Sequence, residues 1–289
     1  MPERLCSSSY AVRDEMTVPI SFEFFPARGV EAQKRLMKAA KALAAFNPEF
    51  FSVTFGAGGG TRDLTFDTTN NLAEETGIRT APHISCNMLT AEEIAKTLNK
   101  YKSAGISEIV ALRGDNPSGL VASGEFKYAS ELVAFVKDRY ADDFKINVAA
   151  YPEVHPQALS SRDDLQRFRH KVASGADAAI TQYFYNADSY FYFVDRCASV
   201  GIDIPIIPGI MPITNYTNLE RFSRICGAEI PKWLARECEG LRDDKEALEN
   251  LGIEVVSKLC RRLISGGAPK LHFYSMNQAR VLLKICANL

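Results

Sequence analysis

Eight short apolar runs divide the chain, at 19–25, 50–55, 80–86, 108–114, 146–152, 178–184, 204–210 and 271–276. They are rich in Val, Ile, Phe and Tyr, and most do not alternate with polar residues. Such runs suit strands buried on both faces, as in a parallel sheet. The stretches between them carry a helical period. In 31–46, Leu36, Leu43 and Phe46 recur near helical spacing, Ala39 and Ala40 fill the same face, and lysines lie opposite. In 90–105, Thr90 and Glu93 form a capping-box pattern and Gly105 supplies the stop. The stretch 161–176 repeats that plan, with Ser161 at its start and Gly175 near its end. Strands alternating with helices predict the α/β class and a parallel sheet. Eight strands in 289 residues predict a closed (β/α)8 TIM barrel rather than an open sheet. One connection is long: 213–269 reads as mostly helical and is expected to be an extended helical connection between strands seven and eight. The expected organisation is an N-terminal extension at 1–17 and a single barrel at 18–289.

Composition adds mainly exclusions. With 34 basic and 35 acidic residues the formal net charge is −1, which gives no global basic field for nucleic acid and no basic tract for anionic lipid. The seven cysteines are widely spaced without a CxxC pair, so reduced structural thiols are expected rather than disulfides or a zinc ribbon. The first sixteen residues lack the apolar centre of a secretory signal. No apolar run approaches the roughly 18 residues that span a bilayer. A cytoplasmic protein is expected. The four histidines are scattered and HExxH is absent, so no metal site is expected.

Barrel enzymes build their sites at the C-terminal ends of the strands. Polar residues fall at those positions here: Glu23, Thr54, His83, Arg113, Gly114 and Asp115, then Tyr151 and His155, Gln182, and Asn277 with Gln278. Each has a plainer alternative. Glu23 stands in the apolar stretch "SFEFF" and is either a buried ion-pair partner, for instance of Arg113, or a catalytic acid. His83 is either a hydrogen-bonded core histidine or a site residue, and Arg113 with Asp115 either a structural salt bridge or a binding pair. The glycines at 56–60 do not complete GxGxxG, because residue 61 is Thr. The aromatic run from Tyr183 to Phe193 reads as packing. A rim that mixes one isolated acid with donors, cations and rings suits a large, flat, partly anionic cofactor.

The segments "SFEFFPAR", "FFSVTFGAGGGTRD", "APHISC", "IVALRGD", "VAAYPEVHP", "AITQYFY", "IIPGIMPI" and "HFYSMN" closely resemble methylenetetrahydrofolate reductase, of the bacterial type that consists of the catalytic domain alone. The likeness runs in order from about residue 18 to the C-terminus. It implies an FAD-containing barrel in which NADH or NADPH reduces the flavin. The flavin then reduces 5,10-methylenetetrahydrofolate to 5-methyltetrahydrofolate in ping-pong fashion. It also implies the residue roles. Glu23 is similar to the acid that protonates N10 of the folate, and Asp115 to the carboxylate that stabilises the resulting cation near the flavin. Gln182, Asn218, Phe222 and Gln278 match substrate-contacting positions. Thr54 matches a position near the nicotinamide. His83, Arg113, Gly114, Asp115, Tyr128, Ala129, Tyr151, His155, Asp164, Arg167, His170 and Lys171 match cofactor-contacting positions.

For Glu23 the apolar neighbours imply a carboxyl raised by desolvation and so protonated when folate arrives. Asp115, beside Arg113, is expected to stay ionised. The sequence departs from the family pattern at Ala27, where a second Pro is usual, at Arg167 and His170, where Asn and Arg are common, and at Gln278, where many members have Arg. No regulatory segment follows, so inhibition by S-adenosylmethionine is not expected. A homo-oligomer using only small-molecule substrates, without nucleic acid or membrane, is expected. The alternative is a flavin- or folate-binding barrel that takes electrons from a partner protein or is catalytically silent. A Schiff-base aldolase ranks below both, since Lys270 begins its strand rather than ending it.

Overall fold

The computed structural model describes residues 18–55, 61–87, 89–114 and 124–289. Eight of its strands match the apolar runs in order: β1 (Ile20–Phe24), β2 (Phe51–Val53), β3 (Thr80–Ser85), β4 (Glu108–Leu112), β5 (Lys145–Ala150), β6 (Ala178–Thr181), β7 (Ile206–Ile207) and, last in the chain, β9 (Leu271–Tyr274). The ninth, β8 (Gly209–Ile210), is the other half of the seventh run. All pairings are parallel, in the order β7-β6-β5-β4-β3-β2-β1-β9-β8.

The two ends of that order are separated in the chain only by Pro208. A proline has no N–H to give a ladder, so an uninterrupted strand is not possible there. The chain instead changes partner across it. β7 pairs with β6 through Ile206 and Ile207, and β8 pairs with β9 through Gly209 and Ile210. The Pro208 carbonyl accepts from His272 N at 3.0 Å. The two halves form one stave, and the sheet closes as the single-domain (β/α)8 barrel that the pattern predicts.

Helices cover the outside: α1 (Val30–Ala44), α2 (Thr61–Thr76), α3 (Ala91–Ser103), α4 (Ala129–Tyr140), α5 (Ser161–Ala173) and α6 (Ala187–Ser199) alternate with the strands. The long connection holds α7 (Tyr216–Cys226), α8 (Lys232–Gly240) and α9 (Lys245–Ser265), and α10 (Arg280–Ala287) ends the chain. The capping box at α3 is complete, with Glu93 N donating to Thr90 Oγ1 at 3.2 Å and Thr90 N donating to Glu93 Oε2 at 3.0 Å.

Strand residues alternate between the two faces of the sheet, and this separates two cores. Ile20, Phe22 and Phe24 of β1 join the large cluster between strands and helices, with Leu36, Ala40 and Leu43 of α1. Phe50, Ala81, Val110, Ala178, Ile180 and Ile207 form a second, small cluster with Leu112. That plug fills the barrel, and the polar residues of the interior sit with it. Six of the seven cysteines lie among the described residues, all as free thiols, five of them buried.

The closure seam leaves no room beside Gly209. A Cβ there would stand 2.1 Å from the Thr181 carbonyl oxygen and 2.8 Å from the Tyr274 ring. Thr181 Oγ1 also accepts from Gly209 N at 2.9 Å, and Tyr274 Oη donates to the Thr181 carbonyl at 2.7 Å. Gly209→Ala is expected to destabilise the fold by about 2 kcal/mol or more, lowering Tm by about 5 °C. Thermal unfolding followed by circular dichroism measures this; an unchanged Tm would show that the seam is not tightly packed.

Candidate active site at the C-terminal rim

The alternation that sends Phe22 and Phe24 outward turns Ser21 and Glu23 inward. Phe22 stacks on Phe273 at 5.5 Å, and Phe24 meets Phe51 edge-on at 5.1 Å, both within the outer core. Inside the barrel the neighbours of Glu23 are polar. Its Oε2 lies 3.3 Å from His83 Nε2 on β3 and 3.9 Å from His272 Nε2 on β9. His272 is fully buried, with Nδ1 at 2.7 Å from Ser21 Oγ and Nε2 at 3.5 Å from Ser52 Oγ. His83 Nε2 is buried without a well-aligned hydrogen-bond acceptor, so its approach to Glu23 is a close polar contact rather than a formed hydrogen bond.

Burial pushes the Glu23 carboxyl up, but the imidazoles of His272 and His83 outweigh burial and hold it down at about 2. Glu23 is therefore ionised in the free protein, contrary to the expectation from its sequence neighbours. The residues next to it in the chain face the other side of the sheet, and the residues next to it in space are donors. Its partner is also not Arg113, whose Nε donates to the Gly114 carbonyl at 3.2 Å and which faces a separate cavity. Tyr274, in register with Glu23, is a neutral donor: burial first, then the charge of Glu23, raises its phenol well above the ordinary value.

That separate cavity, of about 640 Å³, lies between the ends of β4 and β5 and helices α4 and α5. Nine of the predicted cofactor positions line it: Arg113, Tyr128, Ala129, Tyr151, His155, Asp164, Arg167, His170 and Lys171. Lys171 Nζ donates to the Ala149 carbonyl at 2.6 Å. Burial lowers its pKa to about 8, with Asp164 opposing that shift and Arg113 adding to it. Asp164 accepts from His155 N at 2.9 Å, and the Tyr151 and His155 rings meet edge-on at 4.4 Å. Val154, just before His155, has φ of 74°, a conformation that a β-branched residue rarely adopts. Gly114 has φ of 84°, and a Cβ on it would collide with Ser85 Oγ, so glycine is required where the chain leaves β4.

The other predicted positions lie around these two zones. Thr54 follows β2, its N–H bonded to the Phe24 carbonyl at 2.9 Å. Gln182 follows β6, its Oε1 accepting from Tyr183 N at 3.0 Å. Asn218 and Phe222 lie on α7, which Tyr183 ties to β6 through a 3.0 Å contact with Ser223 Oγ. Gln278 is exposed beyond β9. Asp115 and the glycine loop at 56–60 lie outside the described residues. Sequence reasoning missed His272 as a partner of Glu23, and Ser21 and Ser52 as partners of His272. Their signal was the two-residue spacing of Ser21 and Glu23, but pairing them with β2 and β9 requires the register. Among the described residues no group of three or more His, Cys, Asp or Glu could hold a metal ion, and no helix is long and apolar enough to cross a membrane.

A family model described as methylenetetrahydrofolate reductase matches residues 10–289. The 5,10-methylenetetrahydrofolate reductase of Escherichia coli strain K12 is 41% identical over 273 residues, covering 94% of this chain and 90% of the relative. A probable methylenetetrahydrofolate reductase (NADH) of Oryza sativa subsp. japonica is 37% identical, covering 96% of this chain and 49% of the relative. Among solved structures, an uncharacterized protein from Clostridium thermocellum that binds two copies of 5-methyl-5,6,7,8-tetrahydrofolic acid superposes with a TM-score of 0.64. It is 16% identical and covers 95% of each chain, a likeness of fold. On the family match and the identity to its relatives, the chain belongs to the methylenetetrahydrofolate reductase family.

Proposed function

We propose that this protein reduces 5,10-methylenetetrahydrofolate to 5-methyltetrahydrofolate with electrons from NADH or NADPH, passed through bound FAD in a ping-pong cycle. The observation that carries this reading is the joint presence, on one barrel rim, of the Glu23–His83–His272 cluster and the cation-lined cavity at β4 and β5. Family membership and relatives named for this reaction, one of them for NADH, support it.

The donor set of the cavity fits a flavin dinucleotide. Arg113, Arg167 and Lys171 offer cationic donors to a diphosphate, His155 and His170 offer imidazoles, and Tyr128 and Tyr151 offer rings beside them. Bound FAD would supply the hydride transfer itself. Lys171, whose charge burial disfavours more than Asp164 supports it, would gain a counter-charge from a phosphate in the cavity.

Glu23 is proposed to deliver the proton to N10 of the folate, which opens the five-membered ring to an iminium ion. Because the free carboxyl is ionised, the cluster has to act as a unit. Substrate covering the rim excludes water from a carboxylate and two imidazoles in contact. Desolvation, which already opposes ionisation of Glu23, then favours its protonated form, the proton being taken from solvent before the rim is covered. Asp115 is proposed to stabilise the cation so formed, with Gln182, Asn218, Phe222 and Gln278 around the substrate and Thr54 near the nicotinamide.

The direct test is anaerobic: NADH or NADPH should bleach the flavin absorbance of the purified protein, and methylenetetrahydrofolate should restore it. A colourless protein, or a reduced flavin that the folate cannot reoxidise, would overturn the proposal. Glu23→Gln should keep flavin reduction by the nicotinamide while slowing reoxidation by folate at least about 100-fold; equal loss in both half-reactions would make Glu23 a structural partner instead. FAD affinity should fall as the pH rises through about 8, because Lys171 loses its charge there. Lys171→Met should bind FAD more weakly and lose that pH dependence. Fluorescence titration of the apoprotein from neutral to alkaline pH reads both effects.

A further inference from the structure

The ladder between β1 and β9 ends at Glu23 and Tyr274, so on that edge, opposite β2, the backbone just beyond Glu23 has no strand beside it. The chain leaving β9 turns through two successive residues in the left-handed region, Met276 at φ 51° and Asn277 at φ 55°. That conformation is unfavourable for L residues and tolerated best by Asn among those with a side chain. Its result is to lay the Asn277 amide along Phe25. Phe25 N donates to Asn277 Oδ1 at 3.0 Å, and Asn277 Nδ2 donates to the Phe25 carbonyl at 2.8 Å. One side-chain amide thus makes both bonds that a neighbouring strand would have made. The same loop also holds the Glu23 backbone on that edge. Ser275 N and Ser275 Oγ both donate to the Glu23 carbonyl, at 3.1 and 2.5 Å, and Asn277 N donates to Ser275 Oγ at 3.1 Å.

We infer that Asn277 is a positioning residue: its amide clamps the end of β1 and so fixes the direction in which Glu23 meets the substrate. The inference rests on the proposed role of Glu23 in the folate half-reaction. Asn277 itself touches neither His83 nor His272 among the contacts of the cluster, and it acts through the Phe25 backbone. Without the clamp, Phe25 and the loop beyond it are held from one side only, and a proton donor displaced by a fraction of an ångström loses much of its effectiveness.

Two substitutions separate the amide from the backbone. Asn277→Gly accepts the left-handed conformation and removes both bonds. Asn277→Asp keeps an acceptor for Phe25 N but places a second acceptor against the Phe25 carbonyl. In Asn277→Gly the Phe25 amide should exchange with solvent faster than in the wild type, read by hydrogen exchange. Reoxidation of the reduced flavin by methylenetetrahydrofolate should slow about tenfold, while reduction by the nicotinamide stays within about twofold. Asn277→Asp should fall between the two in both measurements. Unchanged Phe25 exchange, unchanged reoxidation, or a matched fall in both half-reactions would overturn the inference. A wild-type protein that fails the folate half-reaction would instead overturn the proposed function, and the wild-type control tells the two apart.

Discussion

A carboxylate inside a barrel must be met by donors, and much of the upper interior is organised by that need. Removing Glu23 from water without partners would cost several kcal/mol. The structure places two imidazoles against it, one from β3 and one from β9, and backs the deeper imidazole with Ser21 and Ser52. The hydrophobic plug of Phe50, Ala81, Val110 and their neighbours provides the remaining interior packing. The polar cluster and the plug are both products of the strand alternation, so the fold and the site share one geometric origin.

The pairing of the last strand with the first is the condition for that cluster. His272 is carried by β9, and β9 is held between β1 and β8. Pro208 forces the seventh stave to change partner, and the change brings the Pro208 carbonyl to His272 N. Glu23 and its imidazoles come from β1, β3 and β9, which lie within the run β3-β2-β1-β9 because the last strand pairs with the first. The cation-lined cavity needs less of this. Its residues come from the neighbouring strands β4 and β5 and the helices that follow them. One rim thus holds a carboxylate–imidazole cluster built across the β1–β9 pairing and a cation-lined cavity built from local units.

Much of the architecture was legible in the apolar runs. Each of the eight runs contains a strand, and the capping box at Thr90 forms as its residues indicate. Strand ends were shorter than the runs, because residues such as Phe25, Tyr183 and Met276 continue the apolar or aromatic character past the last ladder pairing. The strand ends that form the rim were legible too, since parallel barrels put them on one side. The environment of Glu23 was not. "SFEFF" suggests an acid wrapped in phenylalanine, yet a period of two sends those rings to the helices and leaves the acid among histidines.

The sequence by itself determined the order of elements, the barrel class, and which residue types reach the rim, because these follow from local periodicity and from the directionality of parallel strands. Only the tertiary structure decided which of those residues touch. Register between strands far apart in the chain set His272 and His83 against Glu23, turned Arg113 toward the other cavity, and laid Asn277 along Phe25. Protonation depends on such contacts at a few ångströms, and no local pattern encodes them.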